Sequence, residues 1–319
     1  MTMALLRAFF PNSLLASTSG THSSRARNEL LETWKRGLTR GEDLDPHLAV
    51  IAELGEYFGL EPAAVRERCE NWTRYSLAEW CRGDRTTDEG LRDFFNQQTS
   101  WIFDTMWYHA NQYDGRAPAE SVEIALGLSH LAQGRQLDFG AGPGSSAIFF
   151  AQLGWDTSLL DISKTMRDFA AWRLARRNLK VPIYADMSQL PVDSYDLITA
   201  FDVMVHVPNA GSVIARLHRA LKLGGYLVFN IDNRPASLEN HGHLYEDQWP
   251  ILRTVRRAGF RRHPKITYFH VYEKVARTPL VTRLVAAFDR ARYNRTVTGV
   301  GNIVRGVQRR LSEVAQARA

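Results

Sequence analysis

Hydrophobic positions follow two different periods through the middle of the chain. Gln136-Leu137-Asp138-Phe139 leads into three alternating glycines, Gly140, Gly142 and Gly144, and a continuous apolar run then extends from Ala147 to Leu153. That order predicts a strand, a tight loop and a helix. Trp155 to Leu160 predicts a second strand ending at Asp161, and Ile162-Ser163 opens a helix through about Asn178. A short third strand runs into Tyr184, and a fourth runs from Ser194 to Phe201. A helix over 210–221 follows, then the turn Leu221-Lys222-Leu223-Gly224-Gly225 and a fifth strand, Tyr226 to Phe229. Trp249 to Gly259 reads as a helix and Phe260 to Val275 as closing strands. Strands alternating with helices in this way build a doubly wound, mostly parallel α/β sheet.

The flanks have only the helical period. Asp45-Pro46 is a helix start and Gly59 a stop; Glu61-Pro62 opens a helix through about Trp80. Thr87 caps a third helix that carries Phe94, Phe95, Trp101 and Phe103 as a buried stripe, with Tyr108 and His109 near its end. Pro118 to Leu131 precedes the first strand. Beyond Pro279, Val281, Leu284, Val285 and Phe288 fall at helical spacing, as do Val300, Val304, Val307, Leu311 and Val314. The expected organisation is a flexible terminus over 1–28, a helical cap over 29–117, a core over 118–276 and a basic amphipathic tail over 277–319.

The loop chemistry narrows the ligand. Glycine lets a backbone turn sharply and approach a ligand closely, and N–H groups at the following helix start point toward it. An acid about twenty positions further on can hold the hydroxyls of a ribose; Asp161 stands there. Ser145 occupies the place of a dinucleotide fingerprint's third glycine, which disfavours a nicotinamide-dependent oxidoreductase. The spacing Asp138-x-Gly140-x-Gly142-x-Gly144 instead resembles motif I of the class I S-adenosylmethionine (SAM)-dependent methyltransferases. Tyr184-Ala185-Asp186-Met187, Phe201-Asp202-Val203-Met204-Val205-His206 and Leu223-Gly224-Gly225-Tyr226 are similar to later motifs of that family, in the same order. The resemblance covers roughly residues 120 to 275 and departs at Val205, where many relatives carry Glu.

The resemblance implies a Rossmann-like, seven-stranded sheet and binding of SAM, with S-adenosylhomocysteine as product. It assigns Asp138, Gly140, Ala141, Gly142 and Gly144 to the methionyl part, Asp161 and Ile162 to the ribose side, Asp186 and Met187 to adenine, and Phe201, Asp202 and His206 to the segment beside the cofactor. His206 is the candidate base, with His109, His241 and His243 in reserve; Tyr108, His109, His243 and Tyr245 are candidates for acceptor contact. The segment after the fourth strand lacks the Asn/Asp-Pro-Pro-aromatic pattern of nucleobase amino methylases. It looks more like small-molecule methyltransferases of quinone, sterol or natural-product type, acting on an O, N or C acceptor.

Charge and cysteine content change the picture in two places. The net charge is +6, yet the stretch beyond Ala276 alone carries nine arginines against Asp289 and Glu313, so the rest is near neutral. This argues against nucleic acid as substrate. It leaves two roles for the tail, docking on the cap or touching an anionic membrane, the latter making a membrane-surface lipid methyltransferase an alternative. Cys69 and Cys81 are too few for a disulfide framework, consistent with a cytoplasmic protein. His241-x-His243 lacks a third ligand in its sequence neighbourhood, so no metal is expected. A catalytically silent module that binds SAM or S-adenosylhomocysteine within an assembly is the remaining alternative.

Overall fold

A computed structural model of the chain describes residues 20–83, 87–207, 209–231, 243–244, 248–264, 266 and 269–276. His241, Tyr245 and the basic tail lie outside the described residues. The sheet has seven strands: β1 (Arg135–Phe139), β2 (Asp156–Leu160), β3 (Ile183–Tyr184), β4 (Tyr195–Ala200), β5 (Leu221–Phe229), β6 (Phe260–Arg262) and β7 (His270–Lys274). Their order is β3-β2-β1-β4-β5-β7-β6, the first five neighbours parallel and β7 antiparallel to both strands beside it. Strand β1 pairs with β2 on one side and β4 on the other, so the connection reverses direction there. A crevice opens at such a reversal, outside the carboxyl ends of the strands.

Among the described residues, seven helices precede the sheet: α1 (Gly20–Thr39), α2 (Pro46–Phe58), α3 (Pro62–Glu70), α4 (Trp72–Arg82), α5 (Asp88–Gln97), α6 (Ser100–Tyr113) and α7 (Glu120–Gly127). Between and after the strands come α8 (Ser145–Gln152), α9 (Lys164–Arg176), α10 (Ala210–Ala220) and α11 (Trp249–Ala258). Helix α1 begins inside the stretch expected to be flexible, because Trp34 and Leu38 are buried against Phe149 and Phe150 of α8. The single helix expected from Glu61 is divided at Asn71 into α3 and α4. The helix capped by Thr87 is also two, since Gln98 turns extended and the Glu79 carboxylate of α4 accepts from the backbone N–H groups of Thr99 and Ser100. A carboxylate at a helix start answers both the orphan donors and the dipole. Leu221 to Gly225, expected as a turn, belongs to β5 with a register shift between Tyr195 and Leu197 of its partner.

Two packed layers result. Leu137, Ile198, Leu227 and Phe229 meet α10 and α11 on one face; Leu197, Val228 and Val271 meet α1, α7 and α8 on the other. A separate cap core joins Val50, Leu54, Ile102, Phe103 and Met106 to Met166 and Phe169 of α9. The cap therefore grips the helix that follows β2, directly above the crevice.

Candidate functional site

The crevice is built on the glycine loop. Gly140 N–H and Ala141 N–H both donate to Leu160 O, at 2.7 and 3.1 Å, tying the loop to the end of β2. Gly140, Gly142 and Gly144 have φ of +67°, +53° and +74°, a region that L side chains rarely occupy. Their surroundings differ. A Cβ on Gly140 would lie 2.3 Å from Val203 Cγ2, and one on Gly144 would lie 3.2 Å from Ala170 Cβ, so these two glycines serve packing. A Cβ on Gly142 would meet nothing closer than Thr105 Cγ2 at 3.9 Å and Met166 Sδ at 4.0 Å. Both are ordinary van der Waals distances, so at Gly142 only the left-handed backbone, and no clash, calls for glycine.

Two buried acids flank the loop. Asp138 accepts from Thr199 Oγ1 at 3.0 Å through Oδ1, while Oδ2 is enclosed with no partner among the described residues. Burial pushes its pKa up to about 7, against the opposing hydrogen bonds from Thr199 and Ala147. Asp161 is 8% exposed and accepts from Gly142 N–H and Ser163 N–H, both at 2.8 Å. Burial raises its pKa, and those two N–H groups work against the rise. Each Asp161 oxygen keeps acceptor capacity for a further donor.

Beyond Asp161, Ile162 is 52% exposed, a large apolar side chain presented at the mouth of the crevice. Asp186 starts the 3-10 turn Met187–Gln189, accepting from Ser188 N–H at 2.6 Å, and the Ser188 side chain first, then that N–H, hold its pKa low. Met187 packs partly buried against the sheet core. Asp186 and Met187 thus stand one strand over from Asp161, past the end of β3.

A fully buried clamp holds the loop to the cap. Arg173 of α9 donates to Pro143 O at 2.7 Å, to Ser145 Oγ at 2.8 Å and to Glu53 of α2 at 3.0 Å. Arg177 donates to the other Glu53 oxygen at 2.5 Å. The shifts of the partners point in opposite senses. Burial alone would raise the Glu53 pKa, but two guanidinium groups outweigh it and leave it lowered. Arg173 falls to about 10 because burial strips its water while it shares that carboxylate with Arg177. It remains charged at neutral pH, so the ionised pair is the working state.

The far side of the crevice lies past β4. Phe201 packs against Phe269, their ring centroids 5.8 Å apart. Asp202 has φ +53° and its N–H donates to Asn230 Oδ1 at 2.5 Å. His206 ends the 3-10 turn Met204–His206, with ring centroids 5.6 Å from Trp101 of the cap and 5.1 Å from His243. Leu244 N–H donates to Val205 O at 2.8 Å, which seats His243 beside that turn. Nearby, Tyr108 Oη donates to Glu120 Oε1 at 2.7 Å, and Gln112 Nε2 donates to the other oxygen at 2.5 Å. Burial pushes the Glu120 pKa up to about 7 and the Tyr108 phenol well above its usual value, with Asp202 adding to both rises.

The fold gives three of the candidate positions surroundings that their sequence neighbours do not show. His109 lies in the core: burial lowers its pKa to about 3, its Nδ1 is enclosed without a partner among the described residues, and its ring meets Trp34 edge-on at 5.4 Å. Tyr108 is committed to Glu120, a buried acid that sequence reading missed because nothing marks it among the polar residues of α7. The metal reading failed in sequence for want of a third ligand near His243; the fold supplies His206 and Asp202, with ligand atoms of all three within 4.8 Å of one another. Arg173, also missed, looks in sequence like any arginine on an amphipathic helix.

A mostly parallel sheet reversing at β1, a glycine loop joining β1 to α8 and an acid at the end of β2 have the arrangement of a nucleotide-binding α/β core. Residues 137–229 match the family described as "Methyltransferase domain", and the chain carries a class I SAM-dependent methyltransferase domain. It is 31% identical over 104 residues to a ubiquinone biosynthesis O-methyltransferase of Photobacterium profundum, covering 31% of this chain and 44% of that protein. It is 28% identical over 156 residues to the enzyme of the same name from Hydrogenovibrio crunogenus, covering 47% and 63%. The chain spans about half the length of the curated relatives it matches. A solved structure of Haemonchus contortus phosphoethanolamine N-methyltransferase 2 with S-adenosyl-L-methionine superposes with a TM-score of 0.46 at 18% identity, covering 70% of this chain and 56% of that one.

Proposed function

We propose that the chain binds SAM in this crevice and transfers its methyl group to a hydroxyl on a small-molecule acceptor. The observation that carries the cofactor reading is the left-handed glycine loop between two buried acids, one with a carboxylate oxygen lacking a partner among the described residues. An ammonium group suits Asp138 Oδ2, ribose hydroxyls suit the spare acceptor sites of Asp161, and an adenine ring suits the space between exposed Ile162 and Met187 near Asp186.

SAM supplies an electrophilic methyl on a sulfonium, displaced in line by the acceptor. The task left to the protein is positioning, exclusion of water and disposal of the acceptor's proton. Trp101 and Thr105 of α6 roof the crevice and would exclude water. His206 can take the acceptor proton, since it stands past β4 on the side away from the ribose acid. The relatives named as O-methyltransferases support oxygen as the accepting atom.

Calorimetric titration with SAM, S-adenosylhomocysteine and NAD tests the reading. Saturable binding of the first two and none of the third is expected. Failure of both adenosyl ligands to bind would remove it.

A further inference from the structure

We propose that Asp202, His206 and His243 form a site for one divalent transition-metal ion at the acceptor end of the crevice. The inference rests on the methyl-transfer reading above and, with the ion bound, gives His206 the role of ligand in place of that of base. Each of the three residues offers one ligand atom, and these atoms lie within 4.8 Å of one another. Ligand bonds of about 2.0–2.2 Å to a common ion place neighbouring donors roughly 3–4 Å apart, so small side-chain rotations close the set.

Two local devices aim the donors at one point. Asp202 and His206 are four residues apart around the 3-10 turn, and the left-handed backbone at Asp202 is held by Asn230 Oδ1. His243 comes from the far side of the β5–α11 connection and is fixed by the backbone bond from Leu244 to Val205. Trp101 backs the His206 ring, limiting the directions it can face.

The donor set selects the ion. Two imidazoles and one carboxylate favour zinc, iron(II), cobalt, nickel or manganese over magnesium, which prefers an all-oxygen shell. Three protein ligands leave open positions, as at catalytic metal centres. An acceptor hydroxyl entering one of them loses its proton to solvent at lower pH than the free alcohol. The oxygen–methyl bond then forms as the sulfur–methyl bond breaks, the bonding pair staying on sulfur to leave S-adenosylhomocysteine. Metal-loaded protein would therefore need no side-chain base, and His206 would act as a ligand.

The test is cobalt(II) titration of purified, chelator-stripped full-length protein, followed by its visible ligand-field absorption, with zinc competition and S-adenosylhomocysteine calorimetry on the same samples. One cobalt per chain is expected, displaced by zinc. His243→Ala should weaken it about 10–100-fold or more, because loss of even an outer partner of a metal ligand costs that much. S-adenosylhomocysteine affinity should be unchanged in His243→Ala, which reports that the domain is folded. No stoichiometric cobalt binding, with S-adenosylhomocysteine still bound, overturns the ion site and leaves the methyltransferase reading standing. Cobalt affinity unchanged by both His243→Ala and Asp202→Asn overturns the ligand assignment. Cobalt bound by protein that binds no S-adenosylhomocysteine overturns the role in methyl transfer.

Discussion

Replacing Arg173 by Met tests whether the cap and the cofactor loop are one cooperative unit. The substitution keeps volume and removes a guanidinium whose side chain is fully buried. Three bonds go: to Glu53 Oε2, to Pro143 O and to Ser145 Oγ. Breaking one side of a buried ion pair costs about 3–5 kcal/mol. Arg177 still holds Glu53 Oε1, which pulls that toward the lower figure. Leaving Pro143 O without its donor adds about 1–3 kcal/mol, and apolar packing by the methionine returns part of it. The net expectation is a loss of about 4 kcal/mol. Urea unfolding followed by tryptophan fluorescence reads it, with Glu53→Gln and the double variant completing a cycle. The two changes should couple by at least about 1 kcal/mol, since the groups touch. S-adenosylhomocysteine affinity should fall as well, because Pro143 sits inside the loop. A loss below about 1 kcal/mol with unchanged m would refute the clamp.

The acids and glycines give further tests. Asp161→Ala should weaken S-adenosylhomocysteine binding by about 1.5–3 kcal/mol, the scale of lost charge-assisted bonds, and calorimetry returning wild-type affinity would reassign the ribose acid. Gly142→Ala should cost about 1–2 kcal/mol of stability from its left-handed backbone and sharply reduce cofactor affinity, whereas Gly140→Ala should mainly destabilise through its clash with Val203. Thermal melts beside calorimetry separate the two; equal behaviour of both variants would count against the cradle. Asp138 has a folded pKa near 7 against an ordinary value of 3.8. The folded state therefore holds a proton that the unfolded chain has lost, and unliganded stability should fall as pH rises from about 4 to 7. Pairing with an ammonium favours the carboxylate, so SAM affinity should climb through the same window and level off above it. Glu120 titrates in the same range, and Asp138→Asn assigns the effect; a pH profile unchanged by that substitution would exclude Asp138.

What the sequence could announce was local. Gly140, Gly142 and Gly144 are legible because a backbone forced to positive φ demands glycine wherever the chain goes. Asp138 and Asp161 are legible because strand ends are read from the apolar runs preceding them, and parallel strands gather their ends on one edge. The alternation of strand and helix fixed the sheet class by the same reasoning. Helix ends were harder: the break before Ser100 depends on Glu79, a residue of another helix arriving as a cap.

The tertiary structure decided which polar groups face each other. His243 meets His206 across more than thirty residues of chain, and neither residue's neighbours predict it. Glu53 and Arg173 are separated by 120 positions, and only packing of α2 on α9 buries them together. Glu120 becomes a raised-pKa acid, and His109 a neutral core ring, because desolvation depends on what covers a group. Backbone demands are written at single positions. Burial and charge pairing belong to contacts between distant segments, and those exist only once the chain has folded.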